Sequence, residues 1–193
     1  GMLPADGGIV LIDGVRLARI IAADMPTYGI TRTFQEVRLF LQMSALDNIL
    51  VVLTERNIFA ALFERHRAWH IEKARETLEA VGLWEKRGEL VENLSYGQRK
   101  LLEIGRALAM DSKILLLDEP FAGLSPAMVA SVKRILIRLR NEGKTIVLIE
   151  HNIDLIRELC DHVIVLDSGM VLAEGKPDAV LSMQKVIEAY LGK

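Results

Sequence analysis

Apolar and polar positions divide the chain into stretches of different period. Gly8–Asp13 (GIVLID) is a short apolar run that predicts a strand, and Asp13-Gly14 supplies a turn after it. Ile30–Gln35 predicts a second strand, because Thr and Phe favour extended backbone. From Met43 to Glu92 the pattern becomes helical. There Ile71, Ala74, Leu78 and Val81 recur at three- and four-residue spacing among Glu, Lys and Arg. Gly82 suits the position just past a helix end, and the charged face reads as solvated surface.

After Asn93 a helix starts at Ser95, where Ser95-Tyr96-Gly97-Gln98 has capping-box spacing and Leu101, Ile104 and Leu108 form the inward stripe. Ile114–Leu117 is a continuous apolar run, the pattern of a strand covered on both faces of a parallel sheet. Ser125-Pro126 opens another helix with Val129, Val132, Leu136 and Leu139 inward, and Gly143 ends it. Thr145–Ile149 predicts a second buried strand. His162–Asp167 and Met170–Glu174 flank Ser168-Gly169 as a hairpin, and Pro177 opens a terminal helix carrying Val180, Leu181, Ile187 and Leu191. Strand–helix–strand alternation from Ser95 to Leu166 predicts an α/β sheet. Three regions follow: 1–42, a partial N-terminal strand region with a loop; 43–93, a helical lobe; and 94–193, a C-terminal α/β part.

Composition narrows the classes. A chain of 193 residues can build one sizeable core, or a core with a lobe attached. With 51% hydrophobic and 26% charged residues it has a soluble globular balance. A net charge of −2 and a pI near 6.1 provide no basic field for nucleic acid. Ile49–Leu53, Ile58–Phe63 and Ile114–Leu117 fall short of the ~20 apolar residues that span a bilayer, so any membrane role comes through a partner. Cys160 is the only cysteine, which excludes an intrachain disulfide, fits a reducing compartment and reads as a small buried hydrophobe near a helix end. No secretory signal is visible at the start. Gly1-Met2 fits either a tag scar before a start codon or residues left by truncation.

Two segments and one histidine carry candidate chemistry. Asp118 ends the Ile114–Leu117 strand, so the sheet fixes it while its carboxylate reaches outward, as a hard cation such as Mg²⁺ requires. Glu119 points elsewhere and can polarise an attacking water, although many parallel strands end in acidic loop residues. In Leu94-Ser95-Tyr96-Gly97-Gln98 a helix N-terminus offers free N–H groups to phosphate, Ser95 adds a hydroxyl and Gly97 permits close backbone approach. A plain capping box needs only Ser95 and Gln98. His151 follows Val147-Leu148-Ile149-Glu150, and a lone His there suits a structural role as readily as a catalytic one. No GxxxxGK[ST] phosphate loop occurs, and Gly143-Lys144-Thr145 fails as one because Arg138 stands at its first glycine position.

The order LSYGQ, ILLLDEP and a His after VLIE resembles the ATP-binding-cassette (ABC) ATPases. The resemblance implies a P-loop NTPase-like α/β core, here N-terminally incomplete, with an inserted helical lobe, and ATP and Mg²⁺ as cofactors. It makes Glu119 and His151 catalytic, His151 as the switch histidine that bonds the γ-phosphate. It assigns Asp118 to Mg²⁺ through a metal-bound water. Gln35, in TRTFQEVRLF, matches the switch glutamine that senses Mg²⁺ and links the core to the lobe. Ser95, Tyr96, Gly97 and Gln98 would form the signature that contacts nucleotide on the opposite subunit, so activity would need two facing cassettes. Tyr96 departs from the usual Gly. Ala122, Gly123, Leu124 and Ser125 stand where the family's D-loop crosses the dimer interface, without the Asp many relatives have there.

TRTFQEVRLF, LSYGQRKLLEIGRALA, LLLDEPFAGLSP, LIEHNIDLI and the ending VIEAYLG look like the ATPase subunit of branched-chain amino-acid importers. That implies a cytoplasmic subunit, peripheral on the inner face of the membrane, partnered by a second cassette and by separate permease subunits. Phe34, Val37, Leu39 and Phe40 are candidates for the groove that receives a permease helix, or equally for ordinary core of the lobe. Two alternatives stand beside this reading: a non-transport cassette ATPase of DNA repair or translation, and a non-catalytic truncated cassette. The resemblance implies that the chain begins just after the phosphate loop and its helix, and predicts that the polypeptide as given is inactive alone.

Overall fold

Two positive-φ residues set the first turn. Strands β1 (Val10–Ile12) and β2 (Val15–Leu17) pair antiparallel across Asp13 and Gly14, whose φ values of 50° and 77° are those a two-residue type I′ hairpin requires. The structure is a computed structural model that describes residues 1–54 and 67–191. Ile58–Phe63, the rest of 55–66 within the expected helical stretch, and the side chain of Leu191 lie outside the described residues. The chain groups into two compact units, Gly1–Leu148 and Ile149–Lys193.

In the first unit β3 (Ile30–Arg32) pairs in parallel with β4 (Ile114–Asp118), and β5 (Thr145–Ile149) flanks β4 on its other side. β3 is shorter than the sequence predicts. Beyond Arg32 one further ladder bond forms, from Thr33 N–H to the Leu116 carbonyl at 2.9 Å. In β4 only Leu115 and Leu117 are buried, while Ile114 and Leu116 are half-buried. The expectation of a second buried strand at Thr145–Ile149 is corrected: β5 is an outer strand of the described sheet, and its Val147 and Ile149 are exposed.

Helices α1 (Ala45–Leu53), α2 (Arg67–Ala80) and α3 (Tyr96–Ala109) pack on one another. Gly105 on α3 faces the other two helices. A Cβ there would stand 3.5 Å from side-chain atoms of Ile49, Thr77 and Val81. Ala74, Leu78 and Val81 are buried as the period predicts, but Ile71 is exposed, because the buried face of α2 begins only at Ala74. At the end of α2, Gly82 N–H bonds the Glu79 carbonyl at 3.0 Å and Leu83 N–H bonds the Leu78 carbonyl at 2.7 Å, a Schellman cap with Gly82 at φ 70°. α3 is buried on most sides rather than along one stripe, since α1, α2 and α4 (Pro126–Asn141) all pack against it. The segment leading into α1 and the segment after a short 3-10 turn at Trp84–Lys86 bond to each other, Ala45 N–H to the Glu89 carbonyl and Val91 N–H to the Met43 carbonyl.

The second unit holds α5 (Ile153–Leu159), the hairpin β6 (Val163–Asp167) and β7 (Met170–Gly175), and two short helices, α6 (Pro177–Leu181) and α7 (Gln184–Leu191). The single terminal helix expected from Pro177 is therefore broken. Ser182 and Met183 interrupt it, with Met183 N–H closing back on the Val180 carbonyl at 3.1 Å. The break shifts the buried face, so that Val186 rather than Ile187 joins Val180 and Ala173 in the core. Cys160 is half-buried at the end of α5, and burial, then Asp161, pushes its thiol pKa up. No helix among the described residues is long and apolar enough to cross a membrane.

Candidate functional site

The parallel register of β3 on β4 carries Thr33–Gln35 alongside Asp118 and Glu119. Thr33 is buried, and its Oγ1 accepts from Asp118 N–H at 3.3 Å, so the side chain of one strand end fixes the backbone of the other. Arg32 Nη2 donates to Asp118 Oδ2 at 3.0 Å. Glu119 has φ 45°, an uncommon value for a residue with a Cβ, and it turns the chain sharply after the strand. Gln35 Nε2 donates to Glu119 Oε2 at 3.2 Å. The two adjacent carboxylates thus meet different partners, Arg32 and Gln35. Their oxygens and the Gln35 amide are the hard donors that Mg²⁺ takes, and Mg²⁺ needs only one or two carboxylates besides water and phosphate. No group of three or more His, Cys, Asp or Glu able to hold a metal gathers among the described residues.

At the start of α3 the capping box is complete. Gln98 N–H bonds Ser95 Oγ at 3.3 Å, and Gln98 Oε1 accepts from Ser95 N–H at 3.0 Å. Ser95 Oγ acts there as an acceptor, which leaves its hydrogen to donate to an anion. Packing adds a second demand at the neighbouring positions. A Cβ on Gly97 would lie 2.7 Å from Met128 Sδ, and one on Gly123 would lie 2.7 Å from the Tyr96 ring. Tyr96 and Gly97 are thereby brought together with Gly123 and Leu124, joining the LSYGQ turn to the segment Ala122–Ser125. The patterning of the sequence does not reveal Met128, which acts here only through its packing on Gly97.

Three charged residues on α3 hold the segment around Gln35. Lys100 is 0% exposed, and its Nζ donates to the carbonyls of Phe34 at 3.2 Å and Gln35 at 3.1 Å. One turn on, Glu103 lies 3.9 Å from that ammonium and accepts from Arg38 N–H at 3.4 Å. A further turn on, Arg106 Nη1 donates to the Arg38 carbonyl at 2.7 Å. Burial raises the Glu103 pKa, opposed by the Arg38 N–H and the Lys100 ammonium, and burial lowers that of Arg106, opposed by Glu103. Sequence reasoning passed over this row. Its only signal is charge at every third position, 100, 103 and 106, among the apolar residues that follow Arg99 on the helix. Among the proposed groove residues, Phe34, Val37 and Leu39 are half-buried and Phe40 is exposed.

His151 belongs to the second unit. Glu150 Oε2 accepts from both His151 N–H at 2.8 Å and Asn152 N–H at 3.1 Å. The Glu150 side chain is 2% exposed and that of His151 66%. Asn152 Oδ1 then caps α5, accepting from Asp154 N–H at 3.0 Å and Leu155 N–H at 3.2 Å. The Tyr190 hydroxyl donates to the His151 carbonyl.

Family models match the chain in two places, the ABC transporter model over residues 1–122 and the branched-chain amino acid ATP-binding cassette transporter model over residues 170–193. The chain is 36% identical over 202 residues to the high-affinity branched-chain amino acid transport ATP-binding protein BraF of Pseudomonas aeruginosa, an alignment covering 100% of this chain and 79% of BraF. It is 34% identical to the Escherichia coli K12 protein of the same description, LivG, with the same coverage. Its fold matches the crystal structure of the ADP conformation of an ATP-binding cassette of an ABC transporter, with a TM-score of 0.82 and 33% identity over 100% of this chain and 80% of that one. With the ATPase core fold, the family model and the relatives in agreement, this chain belongs to the ATP-binding cassette family of ABC transporters.

Proposed function

We propose that the chain is the ATP-hydrolysing subunit of an importer for branched-chain amino acids. The observation that carries this reading is the hydrogen bond from Gln35 to Glu119 beside Asp118, which ties a glutamine at the edge of the helical lobe to the acidic end of β4. Asp118 and Gln35 would hold Mg²⁺ through their oxygens, Gln35 as the group that senses it. Glu119 polarises the attacking water, and His151 bonds the γ-phosphate. When bound, Mg²⁺ neutralises charge on the β- and γ-phosphates. Ser95, Tyr96, Gly97 and Gln98 serve nucleotide held by a facing cassette, and Ala122, Gly123, Leu124 and Ser125 line the contact between the two.

The bonds between 43–46 and 87–91 support treating 43–93 as a lobe that leaves and rejoins the chain at one place, between a region of 1–42 and an α/β part of 94–193. Through that lobe and the residues after Gln35 the subunit docks on membrane permeases, peripheral on the cytoplasmic face. The solute assignment is supported by the branched-chain cassette model at residues 170–193 and by the relatives' descriptions. Affinity purification from membranes should recover polytopic proteins. Recovery of ribosomes or DNA alone would overturn the transport reading.

The 193-residue polypeptide contains no GxxxxGK[ST] sequence, and backbone N–H groups with a Lys are what cradle the phosphates in such enzymes. The polypeptide by itself therefore neither binds MgATP at micromolar concentration nor hydrolyses it. Mixed with a cassette that bears a phosphate loop, it completes one site through Ser95 and Gly97, and Ser95→Arg abolishes that rescue. Titration calorimetry of the polypeptide alone tests this reading. A saturable micromolar isotherm, with phosphate release lost in Glu119→Gln, would contradict it.

A further inference from the structure

The last helix reaches back to the histidine loop. α7 is seated on β7 by two contacts: Val186 is buried with Ala173 and Val180, and Lys185 Nζ donates to the Leu172 carbonyl at 2.6 Å. Tyr190 follows Val186 by four positions and so lies on the same helix face, one turn further along. Its hydroxyl donates to the main-chain carbonyl of His151, 39 positions away in sequence. The opposite end of that residue is also held, because the Glu150 carboxylate accepts the N–H groups of His151 and Asn152. The backbone of His151 is thus fixed at its N–H from one side and at its carbonyl from the other, while the imidazole side chain stays 66% exposed.

We infer that Tyr190 is a positioning residue for His151: by bonding its carbonyl, α7 acts as a strap that sets the direction in which the imidazole is presented. The inference rests on the reading of His151 as the group that meets the γ-phosphate. The strap lies inside residues 170–193, the segment matched by the branched-chain amino acid cassette model, and it gives that segment a role at the site of chemistry besides packing on the hairpin. Tyr190 is 56% exposed, so its ring adds little to the core, while its hydroxyl bonds the His151 carbonyl.

Tyr190→Phe in the 193-residue chain keeps the ring and removes only the donor. Amide hydrogen exchange followed by NMR should quicken about 2- to 10-fold at His151 and Asn152, the factor that corresponds to the net worth of one hydrogen bond. Amides of β6 and β7 should keep their rates, the melting temperature should hold, and the ring signals of His151 should shift. Unchanged exchange and ring signals at 151 and 152 would overturn the strap. So would a uniform rise through β6 and β7, which would make Tyr190 a general stabiliser. His151→Ala keeps the carbonyl that Tyr190 binds, so slow exchange at Asn152 survives it whether or not the imidazole ever meets a phosphate. Failure of the strap and failure of the histidine's catalytic reading are therefore read separately, the latter by turnover of His151→Ala in a version of the chain that carries a phosphate loop.

Discussion

Lys100, wholly buried on α3, donates to the backbone carbonyl of Gln35 at 3.1 Å. The residue proposed to sense the metal is therefore fixed in place by a cation on the helix that begins with the LSYGQ turn. A buried ammonium survives only with partners, and here two carbonyls and the Glu103 carboxylate provide them. Lys100→Met removes the charge and keeps the bulk, but it leaves Glu103 buried with less compensation. Chemical denaturation should show a loss of about 3–5 kcal/mol. A loss below about 1 kcal/mol would mean that water reaches the site.

Burial raises the Glu103 pKa above its ordinary value, and the sign of the linked stability follows. Between the ordinary carboxylate pKa and the raised one, the folded state holds a proton that the unfolded state has released. The contribution of this group is present in full below the ordinary value and is lost as pH rises through the raised one. Glu103→Gln should remove that component, so the variant loses less stability than the parent as pH rises across the window. Parallel stability curves for parent and variant, from denaturant titrations across that range, would rule it out.

Gly123 meets two constraints at once, a φ of 72° and the Tyr96 ring 2.7 Å from any added Cβ. Gly123→Ala should cost more than about 1 kcal/mol from backbone strain and crowding together. In a Tyr96→Gly background the crowding disappears, and the cost should fall by about 0.5 kcal/mol or more. Equal costs in the two backgrounds, measured by a double-mutant cycle, would show that the ring and the glycine are independent.

Turn chemistry made much of the fold legible. Asp13-Gly14 and Ser168-Gly169 form their hairpins, and Gly82 and Gly143 end their helices, because positive φ is a local demand that a local residue answers. The break at Ser182-Met183, the exposure of Ile71 and the half-covered β5 were not legible, since each depends on what packs against the element rather than on its own period. The same division runs through the site. The acidic pair at the end of β4 and the capped turn at Ser95 stand out by residue type and order. Lys100, Glu103 and Arg106 do not, because a charge inside a helix acquires meaning only from the distant segment it holds, here residues 34–38.

In the function proposed above, the end of β4 hydrolyses ATP through Glu119. The most direct measurement is MgATP binding and phosphate release in a version of this chain carrying a phosphate-loop segment ahead of Gly1, with and without Glu119→Gln. The neutral amide keeps the size of the side chain and can still accept from Gln35, but it is a poor base for the attacking water. We predict that the variant binds MgATP as tightly as its parent, accumulates as an ATP-bound dimer and loses turnover. Turnover of the variant near the parent's rate would mean that Glu119 is not the base.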